Sequence, residues 1–216
     1  MDGPLSILYT HNLRGDLDLL PRLYTFLKQL RVQVQRFEDN GDVQVCSLQP
    51  TSRRTLLVDV GGSCASEMWH CQVTGGRSTM IVLDAMGYDA INAGGLLAAG
   101  SREKLEGIVQ AALIDEAHSV ERDGLILTST PQPGASGLQL VMQPQPDAIL
   151  EGTALYPAAL DAGQVGVLHV TGVSSPRLSA HHVFDMPRNM RPDATIAGTV
   201  DFVLSEARYF QKKQMG

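Results

Sequence analysis

Basic residues are in the minority here: 17 Lys and Arg stand against 23 Asp and Glu, a formal charge of -6. The average surface therefore repels a polyphosphate backbone, and nucleic acid is not an expected partner. Every apolar run is broken by polar or charged residues well short of the 18 or so that a spanning helix needs, so no membrane partner is expected. Met1 to Pro4 contain no basic segment leading into a hydrophobic stretch, so no signal peptide is visible. Three cysteines, Cys46, Cys64 and Cys71, cannot all pair within one chain and form no CxxC motif, which sets the expectation of a reducing, cytoplasmic location. Tandem repeats, heptads and nucleic-acid modules are missing too. The single tryptophan, Trp69, sits in a polar stretch where it could serve an interface.

What is present is enough for a core. With 216 residues, 44% hydrophobic and 19% charged, the chain fits one α/β domain over 1–216 without disulfide or metal support. Ser6–Thr10 and Thr55–Val60 read as buried strands, and Leu19, Leu20, Leu23, Phe26, Leu27 and Leu30 recur at helical spacing between them. Pro21 places that helix start near Leu17 to Leu20, since proline is tolerated in a first turn. Val32–Phe37 and Val43–Cys46 alternate with period two around Asn40-Gly41, which predicts a hairpin insertion at 32–48.

Further along, a polar loop at 61–76 is expected to carry a short helix around Ala65 to Cys71. Thr79–Met86 reads as a helix before a very short strand at Ala90 and Ile91. Ser101 then opens a helix whose inner face is Leu105, Ile108, Val109, Ala112 and Leu113. Strands follow at Leu125–Leu127, at Leu138–Met142 as an edge, at Val165–Val170 and at Leu178–Phe184. Pro192 and Asp193 open a last helix that faces Ile196, Val200, Val203, Leu204, Ala207 and Phe210 inward.

Three segments carry a resemblance: Tyr9-Thr10-His11-Asn12-Leu13-Arg14-Gly15, Val58-Asp59-Val60-Gly61-Gly62, and Gly87-Tyr88-Asp89-Ala90 running into Gly94-Gly95. Their order resembles that of the calcineurin-like metallophosphoesterases, most closely the branch of 5'-nucleotidases and cyclic-nucleotide phosphodiesterases. That family has Thr-Asn-Asp-x-His-Gly, Asp-x-Gly-Asp, and Gly-Tyr-Asp-Ala before Gly-Asn-His-Glu. The resemblance implies a layered β-sheet core flanked by helices, and it implies a domain incomplete relative to the family, whose late His ligands find no counterpart here.

It also implies a dismantled metal centre. Asn12 stands where the family has a metal-binding Asp, Arg14 where it has a His, Gly62 for the bridging Asp, Gly95 for the ligand Asn and Leu96 for the catalytic His; only Asp59 remains. Two-metal hydrolysis needs several anionic or imidazole donors to hold cations ~3.5–4 Å apart. One carboxylate cannot do that, so no metal, no cofactor and no catalytic residue is expected. The expectation is a catalytically degenerate protein with a structural, regulatory or protein-binding role.

Several fates remain open for the vestigial pocket of Asn12, Arg14, Asp59, Gly62, Ser63, Gly94 and Gly95. Arg14 could replace the lost cations by pairing with Asp59. Alternatively, Arg14 and the backbone N–H groups near Gly61, Gly62, Ser63, Gly94 and Gly95 could converge on a phosphate-like molecule. A new soft-metal site from Cys64, His70, Cys71 and His11 follows no recognised zinc spacing, so the cysteines read as small, partly buried residues. Ser63 lacks a nucleophile elbow and a marked base, while Asp89 reads as a turn brace. A sheet face left uncovered would be buried by a protein partner, a second copy first of all, giving a homo-oligomer.

Overall fold

A computed structural model of the protein describes residues 4–39, 54–98, 100–122, 124–172 and 175–215. Strand β1 (Leu5–Thr10) is buried on both faces, as a strand covered on both sides must be. Leu8 meets the helices, whereas Ile7 and Tyr9 join the core against a second sheet. β2 (Arg54–Asp59) lies parallel to β1, pairing Leu8 with Leu57 and Thr10 with Asp59. β3 (Ala90–Asn92) and β4 (Ala112–Ile114) extend the sheet in parallel on the β2 side.

On the other side β10 (Gln164–Thr171) runs antiparallel to β1, and β11 (Arg177–Asp185) antiparallel to β10. The order is thus β11-β10-β1-β2-β3-β4. Gly166 lies opposite Tyr9, and any side chain there would overlap the tyrosine ring. The second sheet has the order β5-β6-β7-β9-β8, from β5 (Val120–Arg122), β6 (Leu125–Thr128), β7 (Leu138–Val141), β8 (Ile149–Glu151) and β9 (Ala154–Tyr156).

Helices cover the first sheet's outer face. In α1 (Leu20–Asp39) Leu23, Leu27, Leu30 and Val34 line one side and are buried. Each such burial contributes roughly 1.5–3 kcal/mol. α5 (Ala194–Met215) buries Ile196, Val200, Val203 and Ala207, and packs on α1, α2 (Trp69–Thr74) and α3 (Arg77–Ala85). Asp193 starts α5 by accepting hydrogen bonds from Thr195 and Ile196 N–H, and its other oxygen takes Lys28 of α1. Among the described residues no helix is long and apolar enough to cross a membrane.

Four sequence expectations need correction. Val32–Phe37 belongs to α1, not to a strand. The alternation is real, but Val34 also completes the Leu23, Leu27, Leu30 spacing, and Val32 is left 45% exposed. The rest of the expected hairpin lies outside the described residues. The helix opened at Ser101 is only α4 (Ser101–Leu105). Gly107 turns the chain at φ 79, and Ala112 and Leu113 continue as β4, with Ile108 exposed.

β7 is a central strand, between β6 and β9, not an edge. Gln139 gave it a polar look, yet its buried amide is satisfied by the Gln132 backbone, accepting from N–H at 2.7 Å and donating to the carbonyl at 3.1 Å. Lastly, the short helix forecast at Ala65 to Cys71 forms later, as Trp69–Thr74.

Candidate functional site

Strand pairing does not stop where β1 and β2 end. Val60 N–H donates to Thr10 O at 2.9 Å, Asn12 N–H to Gly61 O at 2.8 Å, Arg14 N–H to Gly62 O at 2.7 Å and Gly15 N–H to Ser63 O at 2.8 Å. The loops that carry Asn12, Arg14, Gly62 and Ser63 are thereby zipped to each other, backbone to backbone. The fit puts Asn12 and Arg14 at φ 56 and 55, in the left-handed region that costs side-chain-bearing residues about 1 kcal/mol or more. Gly62 lies at φ 69, and a Cβ on it would stand 2.9 Å from Asn12 Cα and 3.2 Å from Asn12 N. A side chain at position 62 therefore collides with main chain, which cannot step aside as a flexible side chain would.

Asp59 is fully buried at the root of this zip. Its Oδ2 accepts from Thr10 Oγ1 at 2.8 Å, and its Oδ1 accepts from Gly61 N–H at 3.2 Å and from the Ser63 hydroxyl at short range. Tyr88 OH lies 3.0 Å from Thr10 Oγ1. With Asp59 ionised, Thr10 donates to it and Tyr88 donates to Thr10, so that the chain of donors ends on one carboxylate. Burial pushes Asp59 up to about 7, against the pull of its Ser63, Thr10 and Gly61 donors. Among the described residues no Lys or Arg pairs with it.

Arg14 points elsewhere. Its guanidinium is 59% exposed and pairs closely with Glu67. The expected Arg14–Asp59 pair is thus not formed, because the left-handed backbone at Arg14 aims its side chain outward while Asp59 is sealed beneath the zip. Exposed pairs contribute little to stability. Arg14→Ala is accordingly expected to leave the thermal midpoint of unfolding unchanged in a calorimetric scan.

The four residues weighed as soft-metal donors are engaged separately. Cys64 and Cys71 are joined as a disulfide, with Cα atoms 6.1 Å apart. They are not the two separate small residues expected from the sequence. The bond also runs counter to the reducing compartment inferred from an odd cysteine count, so cysteine arithmetic assigns no location. His70 is buried and uses both ring nitrogens, at 2.9 Å from Gly15 O and 2.8 Å from Ser78 Oγ, and burial lowers its pKa. His11 Nδ1 sits against the Leu160 main chain. Among the described residues no group of three or more His, Cys, Asp or Glu is placed to hold a metal ion. Neither His70 nor His11 reaches Ser63, whose hydroxyl is committed to Asp59.

Asn92 is the residue that sequence reasoning passed over. Its Nδ2 donates to Met142 O at 2.7 Å and Val60 O at 3.2 Å, while its Oδ1 accepts from Gly94 N–H at 3.0 Å. It ties the end of β3 to β2 and to the second sheet. An Asn directly before a turn with paired glycines was the available signal. Gly94 and Gly95 are exposed beyond it. Gly95 borders a shallow cavity of about 320 Å³, across from Cys64, Ser66 and Gln72. Asp89 accepts from Leu57 N–H at 2.8 Å, so it braces strand β2 and not the turn its position suggested.

Asn12, Asp59, Gly62 and Ser63 are therefore brought together, with Arg14 turned outward and the two glycines reached only through Asn92. No known family profile matches the sequence. No curated protein is detectably similar to it. Among solved structures, the calcineurin-like phosphoesterase YfkN from Bacillus subtilis is similar, with a TM-score of 0.52 at 14% identity, over 98% of this chain and 100% of that one. At such identity the likeness speaks for architecture alone: the helix-flanked, layered sheets of this chain have the fold of a calcineurin-like phosphoesterase.

Proposed function

We propose that this protein is a catalytically degenerate relative of the calcineurin-like phosphoesterases, on motif order nearest the 5'-nucleotidase branch, and that it keeps the fold for a structural, regulatory or partner-binding role. One observation carries the reading. Asp59, the sole carboxylate left at the family's ligand positions, is buried and spends both oxygens on Thr10, Ser63 and Gly61. A metal ligand must instead present a lone pair to an open site, in company with further anionic or imidazole donors.

A phosphate-like ligand finds less support at the same place. Three of the donors it would draw on are already engaged: Arg14 with Glu67, Gly61 N–H with Asp59 and Gly94 N–H with Asn92. The direct test is turnover of p-nitrophenyl phosphate, its bis ester and nucleotides with Mn2+, Ni2+, Zn2+ or no metal. The expected rate equals that of the metal alone. Metal-dependent turnover that disappears in Asp59→Asn would overturn the proposal.

A further inference from the structure

The sheet edges differ in length. Among the described residues β4, β5 and β8 are three residues each, while β11 runs for nine. Short edges offer little backbone to a passing strand; a long one is a template for pairing and is normally guarded by lysine, proline or inward charge. β11 contains neither Lys nor Pro, and its charged residues, Arg177 and Asp185, are confined to its two ends. A register shift between His169 and Val170 disturbs the Arg177 end, which leaves Ala180–Asp185 regular.

That regular stretch is self-complementary. His181 lies on the face toward the second sheet, where its Nε2 is 2.9 Å from Tyr9 OH; Val183 and Asp185 share this face by alternation. His182 and Phe184 lie on the helix face, along an apolar groove of about 410 Å³ with Leu30, Val34 and Val167. Val183 is 44% exposed and Phe184 39%. In an antiparallel pairing about a two-fold axis at Val183, the two valines oppose each other, His182 opposes Phe184, and His181 opposes Asp185. Within the chain Tyr9 engages Nε2 of His181, and Gln164 Nε2 donates to Oδ1 of Asp185 at 3.0 Å.

We propose that β11 is the strand through which two copies of this chain pair, antiparallel about Val183, joining their six-stranded sheets into one. The inference deepens the partner-binding reading by naming a second copy as the partner and this edge as the surface. The same alternation that buries each strand within the chain sets valine on valine, imidazole on aromatic ring and imidazole on carboxylate between chains.

Sedimentation equilibrium of the full chain tests it, and a dimer is expected. Val183→Lys sets two ammonium groups directly opposite and should raise the dimer Kd by about tenfold or more. Phe202→Lys, at an equally apolar site on α5 that is 63% exposed, should not. Hydrogen exchange of unmodified protein gives a second reading free of folding effects, since amides in 180–185 should gain protection as concentration rises. A monomer at all concentrations, equal weakening by both substitutions, or concentration-independent exchange would overturn the pairing. None of these results touches the absence of hydrolysis, and a hydrolytically active dimer would overturn that reading without touching the pairing.

Discussion

Replacing Asp59 with Asn should make the protein gain stability relative to the parent as pH rises. Burial pushes the folded carboxyl up to about 7 from its ordinary 3.8. Between those values the unfolded chain has released its proton while the folded chain still holds it, so the parent loses stability with increasing pH at up to about 1.4 kcal/mol per unit. Asn has no proton to lose and lacks the slope. Urea unfolding at pH 5 and pH 8 should show the difference, variant minus parent, moving toward the variant by roughly 3 kcal/mol.

The fixed offset from exchanging an acceptor for an amide donor, about 1–3 kcal/mol, cancels in that comparison. The opposite slope, with the variant losing ground at high pH, would mean that Asp59 is held ionised in the folded protein, its Thr10, Ser63 and Gly61 donors outweighing burial. The sign of one number therefore tells whether burial or the surrounding donors set the charge of Asp59.

Placing a carboxylate at position 62 should create no metal site and should come at a large cost in stability. Gly62→Asp places a Cβ 2.9 Å from Asn12 Cα at a residue with φ 69. Left-handed strain of about 1–2 kcal/mol adds to the weakening of the Asn12–Gly61 and Arg14–Gly62 hydrogen bonds, near 1 kcal/mol each. A total loss of roughly 2–4 kcal/mol is expected in urea unfolding. Gly62→Ala should lose most of the same amount, because the first side-chain atom makes the collision. Excess Mn2+ should raise the melting temperature of neither variant; a ligand binding the folded state alone would do so by mass action. A metal-dependent rise confined to Gly62→Asp would show that the loops can still open around cations.

Much of this was legible in the residues. Ser6–Thr10 and Thr55–Val60 are dense apolar runs, and their pairing as parallel neighbours follows from the helix spacing between them. The side chains at positions 62, 95 and 96 were equally plain, since glycine and leucine offer no side-chain ligand atom. What the sequence hid was direction. Nothing in Leu13-Arg14-Gly15 reveals a left-handed backbone that sends Arg14 to Glu67 instead of Asp59. Thr10, Ser63 and Tyr88 read as ordinary strand and loop residues until the parallel pairing collects them around one carboxylate.

The disulfide was concealed for a similar reason: a separation of seven residues, spanning a loop and α2, fits no short motif. Val32–Phe37 illustrates a different limit. A segment can satisfy period two and a 3.6-residue spacing together, and the preceding turns of α1 decide which one is used.

Anomalous scattering from crystals grown with millimolar Mn2+ puts the least inference between measurement and claim. No peak should lie within coordinating distance of Asp59, and its oxygens should remain on Thr10, Ser63 and Gly61. Two occupied sites between the zipped loops, ~3.5–4 Å apart with Asp59 as a shared neighbour, would contradict the account.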